Sequence, residues 1–127
     1  MPDKILLMHC AENSKKALQR MQELGLQPDL PLDTLEFPCT GRISEELLFQ
    51  SLEKEYRGVL VIACHKENCK HLDGNLKAEK RVARVSEMLA KASITDKFTE
   101  IHFTAPDEGR KLAKVIQEFY HKINKKE

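Results

Sequence analysis

The sequence predicts an α/β fold: one three-layer domain spanning residues 1–127, with a four-stranded parallel sheet between two layers of helices. Three observations predict it. Apolar runs alternate along the chain with segments of helical period. Two of those runs are almost continuously apolar, as strands covered on both faces are. Strands separated by helices pair in parallel through right-handed crossovers.

The elements follow in order. "KILLMH", residues 4–9, reads as the first strand. Ala17, Met21 and Leu24 then fall at helical spacing, and Gly25 stops that helix. "LQPDLPLD" carries two prolines and predicts a loop that shortens the second strand, "DTLEF", residues 33–37. Ser44 is placed to N-cap "EELLFQSLEKEY", with Glu45 and Glu46 in the electropositive first turn. "GVLVIA", residues 58–63, is the third strand. A helix over about Asn75 to Ala92 puts Ala78, Val82, Val85, Leu89 and Ala92 on one face. "FTEIHF", residues 98–103, is the fourth strand. The last helix is expected to carry Pro106, Asp107 and Glu108 near its first turn and Leu112, Ile116, Phe119 and Ile123 on its buried face. Runs two and four alternate and belong at sheet edges. The simplest strand order is therefore 2-1-3-4, a flavodoxin-like arrangement.

Composition narrows the function. Hydrophobic residues make up 41% of the chain, enough for a core without staples. With 21 basic and 20 acidic residues the net charge is +1, which gives no global field for nucleic acid. No apolar run is long enough to span a membrane, and "MPDKILLMHC" lacks the pattern of a signal peptide, so a cytoplasmic protein is expected. Four cysteines in a reducing compartment point away from structural disulfides, toward metal binding, redox chemistry or simple burial.

Cys10, Cys39, Cys64 and Cys69 all fall at or just beyond strand ends, hence at the carboxyl edge of a parallel sheet. In the order 2-1-3 the three loops that carry them converge at the topological switch point, where open α/β sheets bind ligands. Taken singly, Cys10 and Cys39 read as small buried hydrophobes. Cys64 and Cys69, with four residues between them, can bind one metal together. Local chemistry suits thiolates. Cys10 precedes a helix start at Asn13 or Ser14, and Cys39 precedes "TGRIS", where Gly41 allows a tight turn and Arg42 is a positive neighbour. Lys66 and Lys70 bracket the third loop. His65 and His71 could complete a Cys/His zinc site, hydrogen-bond a ligand sulfur, or pack in the loop. His9 and His102 fall in strands, as core or edge residues, and His121 on a helix surface. A thiol-disulfide enzyme ranks below metal binding, because the Cys64–Cys69 spacing is not C-x-x-C. Neither G-x-x-x-x-G-K-[ST] nor G-x-G-x-x-G is present, and FMN binding would rest on the fold alone.

"FPCTGRIS", "ACHKENCKHLDGN" and "GNLKAEKRV" together resemble the delta subunit of methyl-viologen-reducing hydrogenase and its relatives. The matching residues are Cys39, Thr40, Gly41 and Arg42; then Cys64, His65 and Cys69; then Gly74, Asn75, Ala78 and Arg81. Cys10 matches the family cysteine that ends the first strand. Many relatives carry another cysteine three positions later, where this chain has Asn13. The resemblance implies a [2Fe–2S] cluster held by Cys10, Cys39, Cys64 and Cys69, with His65, Arg42, Gly41 and His71 around it. It implies an electron-transfer protein between a hydrogenase- or formate dehydrogenase-type donor and a flavin-containing heterodisulfide reductase-like partner. A zinc-binding or metal-free interaction module is the alternative, since the same cysteines suit Zn²⁺. Lys66, Lys70, Arg42 and Lys77 would steer an acidic face of the partner.

Overall fold

The computed structural model describes residues 4–28, 30–54, 56–64 and 74–124, with the backbone alone at Asn13, Cys64 and Asn124. The elements are β1 (Lys4–Cys10), α1 (Asn13–Glu23), β2 (Leu32–Phe37), a 3₁₀ turn (Thr40–Arg42), α2 (Glu45–Glu53), β3 (Tyr56–Cys64), α3 (Gly74–Lys91), β4 (Phe98–Thr104) and α4 (Gly109–Asn124). All strand pairs are parallel, in the predicted order β2-β1-β3-β4.

The continuous apolar runs have a simple cause. Successive strand residues point to opposite faces, and β1 and β3 are covered on both. Ile5, Leu7, Leu60 and Ile62 pack with α1 and α4 against Met21, Leu112, Ile116 and Phe119. Leu6, Met8, Val59 and Val61 pack with α2 and α3 against Leu48, Leu52, Val82 and Val85. The edge strands β2 and β4 are less buried, as expected of sheet edges, though their burial does not alternate residue by residue.

Helix ends follow local chemistry where the signal is local. Gly25 takes φ +68°, its N–H donates to Gln22 O at 3.0 Å, and the Leu26 N–H donates to Met21 O at 3.0 Å. That pair of bonds is the Schellman stop of α1. Ser44 Oγ accepts the Leu47 N–H at 3.0 Å, as an N-cap should. Two boundaries differ from expectation. α2 ends at Glu53, because Tyr56 pairs with Lys4 and opens β3. α4 starts at Gly109, because Ala105 to Glu108 forms a turn. The Glu108 N–H donates to Ala105 O at 3.1 Å, and Glu108 Oε1 accepts the Ala105 N–H at 2.7 Å. Asp107 and Glu108 therefore precede the helix.

Candidate functional site

The carboxyl edge of the sheet collects the cysteines whose positions are described. β1 ends at Cys10, in register with Phe37, and the Ala11 N–H donates to Phe37 O at 2.8 Å. Cys39 lies two residues beyond Phe37. Cys64 closes β3 in register with Thr104 of β4. Neighbouring strands in a sheet stand about 4.8 Å apart, so these loops emerge side by side. Cys69, His65, His71, Lys66 and Lys70 lie outside the described residues.

Each described sulfur faces a backbone donor. Cys10 is 2% exposed, and its Sγ accepts the Ser14 N–H at 3.3 Å. Ser14 Oγ also lies 3.3 Å from that sulfur, while its own hydroxyl proton goes to Ile62 O at 2.7 Å. Because a serine hydroxyl has one proton, Ser14 Oγ is the acceptor for a Cys10 thiol. The same side chain ties the end of β1 to β3, two residues before Cys64. Cys39, also buried, N-caps the 3₁₀ turn, and its Sγ accepts the Gly41 N–H at 3.4 Å. N–H groups aimed at sulfur favour the thiolate, the form that ligates metal.

The Cys39 loop is clasped by α3. A Cβ on Gly41 would stand 2.9 Å from Gly74 Cα, so the turn and the start of α3 touch backbone to backbone. Arg81, two turns further along α3, donates from Nη1 to Gly41 O and, at 3.2 Å, to Ile43 O. Ala78 and Asn75 are fully buried between these contacts. The segments "CTGR" and "GNLKAEKR" are thus the two halves of one contact. Arg42, expected beside Cys39 as its positive neighbour, is exposed, and it is the Gly41 N–H that reaches the sulfur.

The histidines of the strands serve elsewhere. His9 is buried, with Nδ1 3.0 Å from Cys10 O; His102 pairs with Glu100 at 3.1 Å; His121 is exposed. Among the described residues, no three His, Cys, Asp or Glu side chains gather closely enough to hold a metal ion. The donor set nevertheless fits an anionic sulfur centre: N–H groups reach Cys10 and Cys39, and Thr104 Oγ1, a buried hydroxyl without a partner among the described residues, ends the strand beside Cys64.

The profile of the family described as methyl-viologen-reducing hydrogenase, delta subunit, matches residues 5–126. The chain belongs to that family. Within it, the iron-sulfur subunit of the F420-non-reducing hydrogenase of Archaeoglobus profundus is 32% identical over 88 residues, covering 69% of this chain and 64% of that one. The vhu iron-sulfur subunit of the F420-non-reducing hydrogenase of Methanopyrus kandleri is 33% identical over 85 residues, covering 67% and 64%. The chain thus spans somewhat less than two thirds of the length of these relatives. A much longer relative, from the ferredoxin:CoB-CoM heterodisulfide reductase of Methanosarcina mazei, is 27% identical over 85 residues, covering 67% of this chain and 11% of that one.

Ser14 was expected only as a helix start whose N–H groups favour a negative sulfur, and the bond from its hydroxyl to Ile62 O escaped the sequence reading. Arg81 was visible only as part of the family motif, without its role. Thr104 lies one residue past the run read as strand four and carried no signal.

Proposed function

We propose that residues 1–127 act as one iron–sulfur electron-transfer domain, with Cys10, Cys39, Cys64 and Cys69 holding a [2Fe–2S] cluster. The observation that carries the reading is that the strand ends at Cys10, Phe37 and Cys64 lie side by side at the carboxyl edge, with N–H donors aimed at the Cys10 and Cys39 sulfurs. The cluster, when bound, supplies one-electron transfer. The chain's own residues ligate, exclude water and hydrogen-bond. Buried Cys10 and Cys39 keep the ligand sulfurs dry, the Ser14 and Gly41 N–H groups offset negative charge, and Arg81 fixes the loop that presents Cys39.

The partner, in this reading, is a flavin-containing chain of the heterodisulfide reductase type within a larger oxidoreductase complex. The similarity of this chain to a segment making up 11% of a heterodisulfide reductase subunit supports a partner of that type. The docking face is the start of α3, which adjoins the Cys39 turn. There Leu76 is 40% exposed, beside a groove lined by Lys77, Lys80, Arg81, Arg84 and Glu45. An apolar contact beside a basic rim suits an acidic partner surface and a fast, salt-sensitive encounter.

The test is spectroscopic. Purified and kept without oxygen, the chain should be brown, bleach on dithionite and recover on reoxidation. A colourless chain that binds Zn²⁺ through the same cysteines would make it an interaction module instead.

A further inference from the structure

We propose that β4 is a self-association edge, through which two copies of the chain join by antiparallel β4–β4 pairing about a two-fold axis at Ile101. The pairing does not depend on what the cysteines bind. β4 is the last strand of the sheet, and among the described residues no strand pairs with its outer side. An open edge invites a further strand unless something blunts it. β4 runs without proline from Phe98 to Thr104, in unbroken register with β3. The other edge is blunted. Pro31 and Pro38 bracket β2, and antiparallel pairing with its own copy, centred on Thr34 or Leu35, would set the Asp33 carboxylate opposite Leu35 or Phe37.

β4 reads as its own complement. Centred on Ile101, the pairing sets Glu100 opposite the second copy's His102, twice over, with Thr99 opposite Phe103 and Phe98 opposite Thr104. A two-fold axis normal to the sheet keeps each side chain on its own face, so the register changes only in steps of two residues. One step either way sets Glu100 on Glu100 or His102 on His102. Opposite charges facing across a strand pair stabilise it and like charges destabilise it, so charge selects the Ile101 centre. Glu100 and His102 stand side by side on the α4 face, Oε1 to Nε2 at 3.1 Å, with Lys122 Nζ 2.5 Å from Glu100 Oε2. Each carboxylate has further lone pairs, and each imidazole a second nitrogen, for a bond across the axis. Phe103 O accepts from Lys111 Nζ at 2.8 Å and has a second lone pair for an added strand. On the α3 side, exposed Ser86 and Ala90 border a groove that runs past Ile94 to Thr99, small side chains that leave room for the helix layer of a second copy. The basic groove of Lys77, Lys80, Arg81 and Arg84 lies on the flank of α3 that Glu45 of α2 shares, and it stays open in the pair.

The experiment is sedimentation velocity over a concentration series, with the full chain kept reduced and without oxygen. The proteins are wild type, His102→Glu, the double exchange Glu100→His with His102→Glu, and Leu35→Glu on the β2 edge. Wild type should pass from the mass of one chain to that of two as concentration rises. His102→Glu sets carboxylate against carboxylate at two places and should weaken association about tenfold or more. The double exchange restores the opposition of charge and should recover association, and Leu35→Glu should leave it unchanged. A wild type that stays a single chain throughout, association indifferent to His102→Glu, a double exchange that recovers nothing, or loss in Leu35→Glu overturns the proposal. Should either His102 variant fail to fold by circular dichroism, amide hydrogen exchange of wild type decides. Segment 98–104 should then be better protected at high concentration than at low, and segment 32–37 equally at both. Protection gained by 32–37 instead, or by neither segment, overturns the pairing.

Discussion

At the amino end of the sheet Lys4, Asp33 and Tyr56 satisfy one another, whereas at the carboxyl end backbone N–H groups are turned toward cysteine sulfur. The Tyr56 hydroxyl donates to Asp33 Oδ2 at 2.6 Å, Lys4 Nζ lies 3.0 Å from the same oxygen, and that Nζ stands 5.7 Å from the Tyr56 ring centroid. Those contacts hold the first residues of β1 and β3 and the second residue of β2 together. At the other end, the Ser14 and Gly41 N–H groups face sulfur, and Thr104 Oγ1 is left over among the described residues. The difference separates two kinds of polar group. One closes a network and serves the fold; the other points at a place where charge would reside. Changes at the amino end should therefore register in stability alone, and changes at the carboxyl end in what the chain binds.

The largest expected effect is that of Cys39→Ser. Metal content should fall to background, while far-UV circular dichroism and metal-free melting stay close to those of wild type, because the smaller serine hydroxyl can still N-cap the 3₁₀ turn. Next come two glycines that set the ends against each other. Gly41→Ala drives a Cβ to 2.9 Å from Gly74 Cα, where backbone must move. Gly58→Ala, near the amino end of β3, drives one to 2.6 Å from Ile123 Cδ1 and 2.7 Å from Phe119 Cε2. Each should cost about 1–3 kcal/mol in denaturant unfolding. Only Gly41→Ala should also speed loss of metal to a chelator, and equal loss from both would erase the contrast between the ends.

Arg81→Lys is a finer probe. Both bonds leave one guanidinium nitrogen, Nη1, and lysine keeps the charge but ends in a differently placed ammonium on a shorter side chain. We expect about 1 kcal/mol of lost stability and weaker metal retention, the latter measured by competition with a chelator.

The smallest effect is electrostatic and belongs to the amino end. The hydrogen bond from Tyr56, then that from Lys4, hold the Asp33 carboxyl below its ordinary range. A depressed folded-state pKa contributes stability that is complete above the unfolded value and disappears as pH falls through the lower, folded value. Melting temperature should therefore decline on acidification through the carboxylate range, less steeply in Asp33→Asn. The group is exposed, so the change should be small and weakened by salt. Metal content above that range should be the same in both proteins.

Much of the architecture was legible because its signals are local or periodic. The doubly buried runs of β1 and β3, the Gly25 stop and the Ser44 cap each follow from a few adjacent residues. The strand ends place Cys10, Cys39 and Cys64 at one edge once the order 2-1-3-4 is drawn. What escaped depends on distant partners. α2 ends early because Tyr56 is recruited by Lys4, 52 positions away in the chain. The start of α4 is delayed by a turn that the Glu108 carboxylate closes. At the site, charge proximity in sequence favoured Arg42, but the guanidinium that holds the Cys39 loop comes from Arg81 on α3.

The most direct measurement is the iron, acid-labile sulfide and zinc content of the chain purified without oxygen, beside Cys39→Ser prepared identically. About two irons and two sulfides per wild-type chain, without zinc and lost in the variant, is the predicted result. One zinc per chain with no sulfide, or iron and sulfide retained in full without Cys39, would contradict a centre shared by cysteines from three strand ends.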